Sequence, residues 1–229
     1  MTFGAVFPRV LRPVFGPGLA AVAAAANWWE AGGASGAVAA YQPKGAASLA
    51  ASYINLANPG TYDAAPYPTS GFAPAWNATD GWTFAGAQRL TTSISGVTVG
   101  SGGWSMIIRV SDAASSSGCA MGVYNASNNS FAIFPYLASR VYYTINADNF
   151  ASPQLITGTL AIAGNSGYRN GAFDKALSGS GSPTGNIVMG SRNEAVSIYW
   201  TGKLQAAAIY NTTLTAPQVA AISSAMAAL

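Results

Sequence analysis

The sequence of 229 residues predicts an all-β fold, an antiparallel β-sandwich with an extended segment before it and one short helix after it. Three observations support this fold class. Short apolar runs of strand length recur between Gly, Ser and Asn residues, a spacing typical of sandwiches. Asn170-Gly171 is a strong signal for a two-residue hairpin. The longest run, residues 199–211, alternates as a half-buried strand does, with its apolar residues at Trp200, Leu204, Ala206, Ala208 and Tyr210.

Residues 1–37 are predicted to form an extended N-terminal docking arm. Pro8, Pro13 and Pro17 disfavour both helix and strand. Arg9 and Arg12 lie between apolar residues that need a surface to cover, so we expect the arm to dock on a partner subunit. For Trp28 and Trp29 a second interpretation stays open, in which the pair caps the core of the β-domain. The expected interface residues are Phe3, Phe7, Arg9, Leu11, Arg12, Phe15, Trp28 and Trp29.

A secretory signal is the alternative interpretation of the arm. Arg9 and Arg12 would form its charged region, residues 14–22 its apolar region and residues 24–26 its cleavage site. A Gly-Pro-Gly sequence at residues 16–18 interrupts that apolar region. No stretch reaches the ~18–20 apolar residues of a membrane span, so no transmembrane segment is predicted.

The body, residues 38–214, carries the predicted strands in order. Residues 38–43 form the first strand, residues 46–53 include one short helix, and residues 67–74 are an exposed loop rich in Pro, Gly and Ser. The remaining strands are predicted at residues 80–86, 104–110, 119–124, 131–135, 141–145, 160–163, 168–173, 187–190 and 199–211.

Residues 215–229 are predicted to form a closing C-terminal helix. Thr215 and Gln218 have the spacing of a capping box. We expect the apolar face of the helix to pack on its own domain, and a helix that joins protomers is the alternative. The residues of that face are Val219, Ile222, Met226 and Leu229.

Charge is sparse along the whole chain. Only 7% of residues are charged, against about 25% in ordinary globular domains. Because so few charges repel neighbouring surfaces, the composition favours a homo-oligomer or a larger assembly. The alternative is a β-protein covered by Ser, Thr and Asn. The basic residues are scattered, so no nucleic acid is predicted as a partner. The single Cys119 permits no internal disulfide and is expected to be buried.

The titratable residues argue against catalysis. The chain has no His, which removes the usual general base and the commonest metal ligand. Its seven carboxylates are all separated by more than three residues, whereas glycoside hydrolysis uses two acidic groups about 5–10 Å apart. We therefore predict no catalytic residues and no enzymatic activity.

The order of motifs resembles laminin-G-like domains of the concanavalin-like jelly-roll superfamily. That family shows an aromatic-x-Asn-Gly turn, an Ile-x-x-Gly-x-Arg motif, a strand ending in Ile-Tyr-Asn and a closing helix. The matching segments are residues 168–171 (YRNG), 186–192 (NIVMGSR), 199–211 (YWTGKLQAAAIYN) and 214–219 (LTAPQV). Three further segments are similar to laminin-G-like proteins that tailed bacteriophages build into their particles: residues 41–48 (YQPKGAAS), 55–62 (NLANPGTY) and 81–86 (GWTFAG).

This resemblance, which covers about residues 38–229, implies a virion structural protein on the particle surface, in the tail, a fibre or the head. Its arm would contact other virion proteins, and its jelly roll would bind a glycan or receptor on the host surface. Two alternatives stay open: a purely structural decoration or cement protein of the capsid, and a secreted carbohydrate-binding protein.

Lectin-like domains bind sugars through exposed aromatic rings and through amide and guanidinium groups. The selected residues are Tyr124, Asn125, Asn128, Tyr143, Tyr168, Arg169 and Asn170; Asn129, Tyr142 and Asn146 complete a wider set. Laminin-G-like domains also often hold one Ca²⁺ ion, which needs six to eight oxygen ligands. The candidates for it are Asp112, Asp148 and Asp174, and the alternative is that each is a solvated loop carboxylate. No other cofactor is predicted.

Overall fold

The computed structural model describes Met1 and residues 27–113, 118–126, 129–151, 153–194 and 198–229. The helices in these ranges are α1 (Leu49–Ser52) and α2 (Ala216–Ala227), and 3-10 segments cover Trp28–Gly33 and Ser70–Phe72. The strands are β1 (Ala37–Tyr41), β2 (Ala65–Pro66), β3 (Ala75–Asn77), β4 (Gly81–Ala85), β5 (Leu90–Thr91), β6 (Ser105–Ser111), β7 (Met121–Ala126), β8 (Asn129–Leu137), β9 (Arg140–Ile145), β10 (Asp148–Ala151), β11 (Gly158–Ala163), β12 (Ser166–Arg169), β13 (Ala172–Ala176), β14 (Val188–Met189) and β15 (Thr201–Tyr210).

These strands form two antiparallel sheets that share one buried core. The eight-stranded sheet has the order β13-β12-β11-β6-β15-β4-β3, with β1 also paired to β15. The seven-stranded sheet has the order β10-β9-β8-β7-β14-β5-β2. Trp82 and Trp200 from one side and Phe131 from the other meet in the same apolar cluster. The predicted all-β sandwich is therefore confirmed.

Strand β15 is the centre of the larger sheet. It pairs with β6 along one edge, while the other edge pairs with β4 at residues 201–204 and with β1 at residues 207–210. The register shifts between Leu204 and Ala206, so Leu204 faces the main core whereas Ala206 joins the cluster beneath α2. The prediction of a half-buried strand is wrong, because a second layer buries the other face of β15 as well.

That second layer consists of α2 and the Trp28–Gly33 segment. Val219, Ile222 and Met226 are fully buried, as the helical periodicity predicts. Helix α2 begins with a capping interaction, in which the Thr215 backbone N–H donates to Gln218 Oε1 at 2.9 Å. The predicted apolar face and its packing on the chain's own domain are both confirmed.

Trp28 and Trp29 belong to this second layer, where each is 7% exposed. Their rings meet edge to face with centroids 5.4 Å apart, and the Trp29 carbonyl accepts a hydrogen bond of 2.7 Å from the Tyr210 hydroxyl. Within the described chain the pair covers the β-domain core, so neither ring is presented to a partner. The other expected interface residues lie outside the described residues: Phe3, Phe7, Arg9, Leu11, Arg12 and Phe15.

The turn between β12 and β13 is the predicted two-residue hairpin. Asn170 and Gly171 both have positive φ, 49° and 79°, as this turn requires. Gly171 also packs against α2, since a Cβ atom there would lie 3.0 Å from the Ala220 Cα. The hairpin prediction is confirmed, and the turn contacts the helix that closes the chain.

The remaining predictions agree with the structure in outline. Most longer strands begin and end within a few residues of the predicted runs. The predicted strand at residues 168–173 is wrong, because the hairpin turn divides it between β12 and β13. Short β2, β3 and β5 and the four-residue β10 were not predicted. Cys119 is fully buried, and burial raises the pKa of its thiol. Within the ranges given above, no helix combines the length and the hydropathy that crossing a membrane requires.

Candidate functional site

The outer face of the seven-stranded sheet carries polar side chains in its middle. Successive residues of a strand point to opposite faces, so Phe131 enters the core while Ser130 points outward. On the neighbouring strand β9, Tyr143 and Ile145 face the core, and Thr144 points outward beside Ser130. These polar positions form the floor of a surface cleft.

The cleft, called here the Tyr124 cleft, consists of two adjoining hollows of about 200 and 300 Å³ that share the side chain of Tyr124. The first hollow is lined by Tyr124, Ser130, Phe134, Thr144, Asn146, Ala147, Asp148 and Arg192. The second is lined by Val123, Tyr124, Asn125, Thr184, Gly185, Asn186, Asn193 and Glu194.

A cation–π stack divides the two hollows. The guanidinium carbon of Arg192 lies 3.6 Å from the centroid of the Tyr124 ring. Arg192 therefore covers one face of that ring, and a ligand can reach only the rest of it. Within the described residues, the buried Nε of Arg192 has no hydrogen-bond partner and its guanidinium forms no ion pair. Leaving a buried donor unsatisfied costs free energy.

Two carboxylates flank the stack in different states. Glu194 is held in place, since its Oε1 accepts hydrogen bonds from Thr91 Oγ1 at 2.5 Å and from Asn186 Nδ2 at 2.9 Å. Asp148 is exposed at the start of β10, and the described residues give its carboxylate neither a hydrogen bond nor an ion pair. One acid therefore stabilises the wall of the cleft, and the other faces solvent as a free acceptor.

Asparagine side chains fix the shape of the walls. Asn146 Oδ1 accepts a hydrogen bond of 2.7 Å from the Ser130 backbone N–H, and its Nδ2 donates to the Ser180 carbonyl at 2.5 Å. Asn125 Nδ2 donates to Thr184 Oγ1, which ties β7 to the loop before β14. Because these amides bond to the protein itself, they set the spacing of the groups that remain available.

The seven residues selected from sequence for carbohydrate binding do not come together. Tyr124 and Asn125 line the cleft, as does Asn146 of the wider set, while Asn128 lies outside the described residues. Arg169 lies elsewhere and contacts Asp174 and the Pro153 carbonyl, at 3.4 and 2.5 Å.

Tyr143 and Tyr168 are not available to a sugar. The Tyr143 ring lies in the core between the sheets, where burial raises the pKa of its hydroxyl. Tyr168 is buried in the cluster beneath α2. Asn170 is in the hairpin turn, and its Oδ1 accepts a hydrogen bond from the Thr159 backbone N–H. These three residues and Arg169 all lie outside the cleft.

Four polar residues of the first hollow were not selected as sugar contacts: Arg192, Asp148, Ser130 and Thr144. Thr144 interrupts the apolar run of the predicted strand at residues 141–145, and Ser130 directly precedes the predicted strand at residues 131–135. A polar residue at such a position is a detectable sign of an outward-facing side chain. Arg192 ends the Ile-x-x-Gly-x-Arg motif. Its contact with Tyr124, more than 60 residues earlier in the chain, leaves no local signal.

The calcium candidates do not form one group. Among the residues that the structure describes, no three acidic, His or Cys side chains are close enough to share a metal ion. The Asp174 carboxylate lies near Arg169 and accepts from the Tyr143 hydroxyl, and Asp112 lies 3.7 Å from Lys203 Nζ. Asp148 alone is in the cleft.

No protein-family model and no curated protein sequence matches this chain. Solved structures do match. Domain 4 of AbnA, a GH43 extracellular arabinanase from Geobacillus stearothermophilus solved with arabinotriose, has a TM-score of 0.52 and 14% identity, covering 82% of this chain and 98% of that one. The botulinum neurotoxin serotype G binding domain has a TM-score of 0.55 and 11% identity, and the match covers 82% of this chain and 50% of that one. The receptor binding domain of botulinum neurotoxin D has a TM-score of 0.53 and 10% identity, and the match covers 82% of this chain and 52% of that one.

At 10–14% identity these similarities concern the fold and not the ligand. They agree with the two antiparallel sheets and the shared core described above. The chain therefore has the fold of a concanavalin-like β-sandwich, a jelly roll closed by a short C-terminal helix.

Proposed function

We propose that this chain is a non-enzymatic glycan-binding protein of a bacteriophage particle and that the Tyr124 cleft is its binding site. The observation that carries the proposal is the stack of Arg192 on Tyr124 beside the unpaired carboxylate of Asp148. Sugar hydroxyls both donate and accept hydrogen bonds, so they match a guanidinium and a carboxylate on neighbouring walls. The exposed part of the Tyr124 ring supplies an apolar surface for a sugar ring.

The state of the carboxylates supports binding over hydrolysis. Within the described chain, six of the seven acids have a hydrogen-bond or ion-pair partner. Glu194, the other acid of the cleft, is bound to Thr91 and Asn186. Glycoside hydrolysis uses two carboxyl groups on either side of the bond to be cleaved, and this cleft offers one uncommitted acid. The arabinanase domain with a similar fold was solved with arabinotriose, which is consistent with an oligosaccharide ligand.

The location in a virion is supported by the sequence. Residues 41–48, 55–62 and 81–86 are similar to laminin-G-like proteins of tailed phages, and only 7% of the residues are charged. Sparse charge favours a protein that works in an assembly. The proposed partners are other virion proteins, contacted by the N-terminal arm, and further copies of the chain. A decoration or cement protein of the capsid is the second candidate, favoured by the same low charge.

A glycan array with matched variants tests the binding function. We expect Arg192→Gln and Asp148→Asn each to lower the affinity for the bound glycan about tenfold, because each removes a charge-assisted hydrogen bond. Arg140→Gln and Asp112→Asn are the controls, since both change the same charges at exposed positions outside the cleft and should leave binding unchanged.

Two results would contradict the proposal. A chain that binds no glycan on the array, or one whose four variants bind equally well, would favour the cement-protein function. Labelling purified phage particles with an antibody against this chain tests the location separately. Unlabelled particles would contradict the virion role and leave the glycan-binding result unaffected.

A further inference from the structure

A second polar groove lies on the opposite side of the sandwich from the Tyr124 cleft. It has a volume of about 300 Å³ and runs between α2 and the outer face of the eight-stranded sheet. Arg109 of β6 and Thr159 of β11 line it from the sheet, where they are paired neighbours in the register. Asn170 lines it from the hairpin turn, and Ser223 lines it from α2. Four elements of the fold therefore meet at this groove.

Arg109 brings an uncompensated positive charge to the groove. Its Nε donates a hydrogen bond of 2.8 Å to Gln205 Oε1, which fixes the orientation of the guanidinium. Its terminal nitrogens have no carboxylate partner in the described chain, which includes all seven acidic residues. Burial lowers the pKa of Arg109, yet the side chain of an arginine stays charged in proteins.

The other polar groups of the groove can all donate hydrogen bonds. Thr159 is 2% exposed and Ser223 is 5% exposed, and the hydroxyl of neither has a partner within the described protein. The Asn170 Oδ1 already accepts from the Thr159 backbone N–H at 2.9 Å, so the amide nitrogen of Asn170 remains as a donor. A guanidinium, two buried hydroxyls and an amide nitrogen can therefore all donate to a ligand that carries acceptor oxygens.

We propose that this groove binds a small oxyanion, a carboxylate or a sulfate, with Arg109 as its charge partner and Thr159, Ser223 and Asn170 as hydrogen-bond donors. The planar fork of an arginine pairs with two oxygens of such a group at once. The final turns of α2 carry the negative end of the helix dipole, which opposes an anion. That effect corresponds to about half an elementary charge, and the full charge of Arg109 exceeds it.

NMR titration of the ¹⁵N-labelled full chain with sodium acetate and with sodium sulfate tests the proposal, and acetamide serves as the uncharged probe. We expect saturable shifts of the Asn170 side-chain amide and the Arg109 Nε–H signal with acetate, sulfate or both, and none with acetamide. Arg109→Gln should lower the affinity for the anion about tenfold or more. Arg140→Gln, which removes the same charge from an exposed position, should leave the affinity unchanged.

Thr159→Val and Ser223→Ala supply a test that survives if Arg109→Gln fails to fold. Each should weaken acetate or sulfate binding about threefold or more. Without the anion, each should leave the melting temperature unchanged or raised, because it removes a buried hydroxyl that has no partner among the described residues. Three results would overturn the proposal: shifts that do not saturate with acetate or sulfate, shifts of equal size with acetamide, or a loss of affinity in Arg140→Gln as large as that in Arg109→Gln.

Discussion

The hydroxyl oxygen of Tyr143 lies 2.9 Å from the carboxylate Oδ2 of Asp174. Tyr143 belongs to β9 of the seven-stranded sheet and Asp174 to β13 of the eight-stranded sheet, so the contact joins the two layers. The same hydroxyl lies 3.0 Å from the Tyr168 carbonyl, and Arg169 Nε lies 3.4 Å from the same carboxylate oxygen. This polar bridge orients both sheets at one end of an otherwise apolar core.

We predict that Tyr143→Phe lowers the free energy of unfolding by about 1.5–3 kcal/mol, the usual worth of a hydrogen bond to a charged group. Tyr142→Phe is the matched control, because Tyr142 precedes it on β9 and points outward against Phe150. Urea denaturation measures both variants. Equal losses at the two positions would mean that the bridge contributes nothing specific.

The buried tyrosines predict a loss of stability at alkaline pH. Burial raises the pKa of the hydroxyls of Tyr41, Tyr143 and Tyr210 above the ordinary value of 10.0. Their contribution to the stability of the folded chain is fully present below the unfolded pKa of about 10. It is lost as the pH rises above that value, because only the unfolded chain then releases the protons. Each such group contributes a slope of up to about 1.4 kcal/mol per pH unit.

Thermal unfolding between neutral pH and pH values above 10 measures this effect. The midpoint should be nearly constant up to the tyrosine pKa and should then fall. The midpoint of Tyr143→Phe should fall less steeply with pH than that of the parent chain, because one fewer tyrosine releases its proton on unfolding. Parallel curves for the two proteins would contradict the assignment of Tyr143 to this titration.

The buried face of α2 predicts a contrast between two neighbouring residues. Ile222→Ala should cost about 2–5 kcal/mol, the range for removing a buried aliphatic side chain, since Ile222 is fully buried. Ser223→Ala should be neutral or slightly stabilising, because no residue that the structure describes bonds to its buried hydroxyl. Chemical denaturation of the two variants compares them directly, and similar losses would place α2 outside the cooperative core.

Two deletions separate the N-terminal arm from the body. Removing residues 2–26 should leave the unfolding midpoint unchanged and abolish incorporation into the particle, because the Pro-rich arm is predicted to dock on a partner. Removing residues 2–33 should lower the midpoint strongly, because it also removes Trp28 and Trp29. Truncation of a buried Trp costs about 3–5 kcal/mol. A shorter deletion that still assembles normally would contradict the docking function of the arm.

Sedimentation of the full-length chain at micromolar concentration should show a homo-oligomer, a dimer or a trimer. The arm carries Phe3, Phe7, Leu11 and Phe15, and burying apolar area on a neighbour stabilises association by about 25 cal/mol per Å². The variant without residues 2–26 should sediment as a smaller species. Identical monomeric profiles for both chains would show that the arm does not join protomers.

Local pattern was sufficient for most of the longer strands, the hairpin and the closing helix. Asn170-Gly171 determines its turn because few residues tolerate two successive positive φ angles, and the spacing of Val219, Ile222 and Met226 determines which helix face is buried. The bulge after Leu204 could not be predicted. It moves Ala206 to the opposite side of β15, and small apolar residues suit both sides equally.

The candidate site was harder to predict because it is built from distant residues. Tyr142 and Tyr143 are adjacent tyrosines on one strand, so sequence alone did not show which one faces the core. The interpretation chose Tyr143, which is buried. The Tyr124–Arg192 stack joins residues far apart in the chain. Glu194 is hydrogen-bonded to Thr91 and Asn186, whereas the described residues give Asp148 no such partner. That difference also depends on how the sheets assemble.

The position of β15 in the chain has a consequence for biosynthesis. This strand joins β1, β4 and β6 into one sheet, yet its residues 201–210 leave the ribosome about 160 residues after β1. At the usual rates of translation that delay is on the order of 10 s. During it β1 lacks its native partner, and β4 pairs with β3 but leaves its other edge open. An unpaired edge recruits strands from neighbouring chains. Newly made copies on one messenger would therefore be prone to exchange β15, and slow translation of the region before it would increase that exchange.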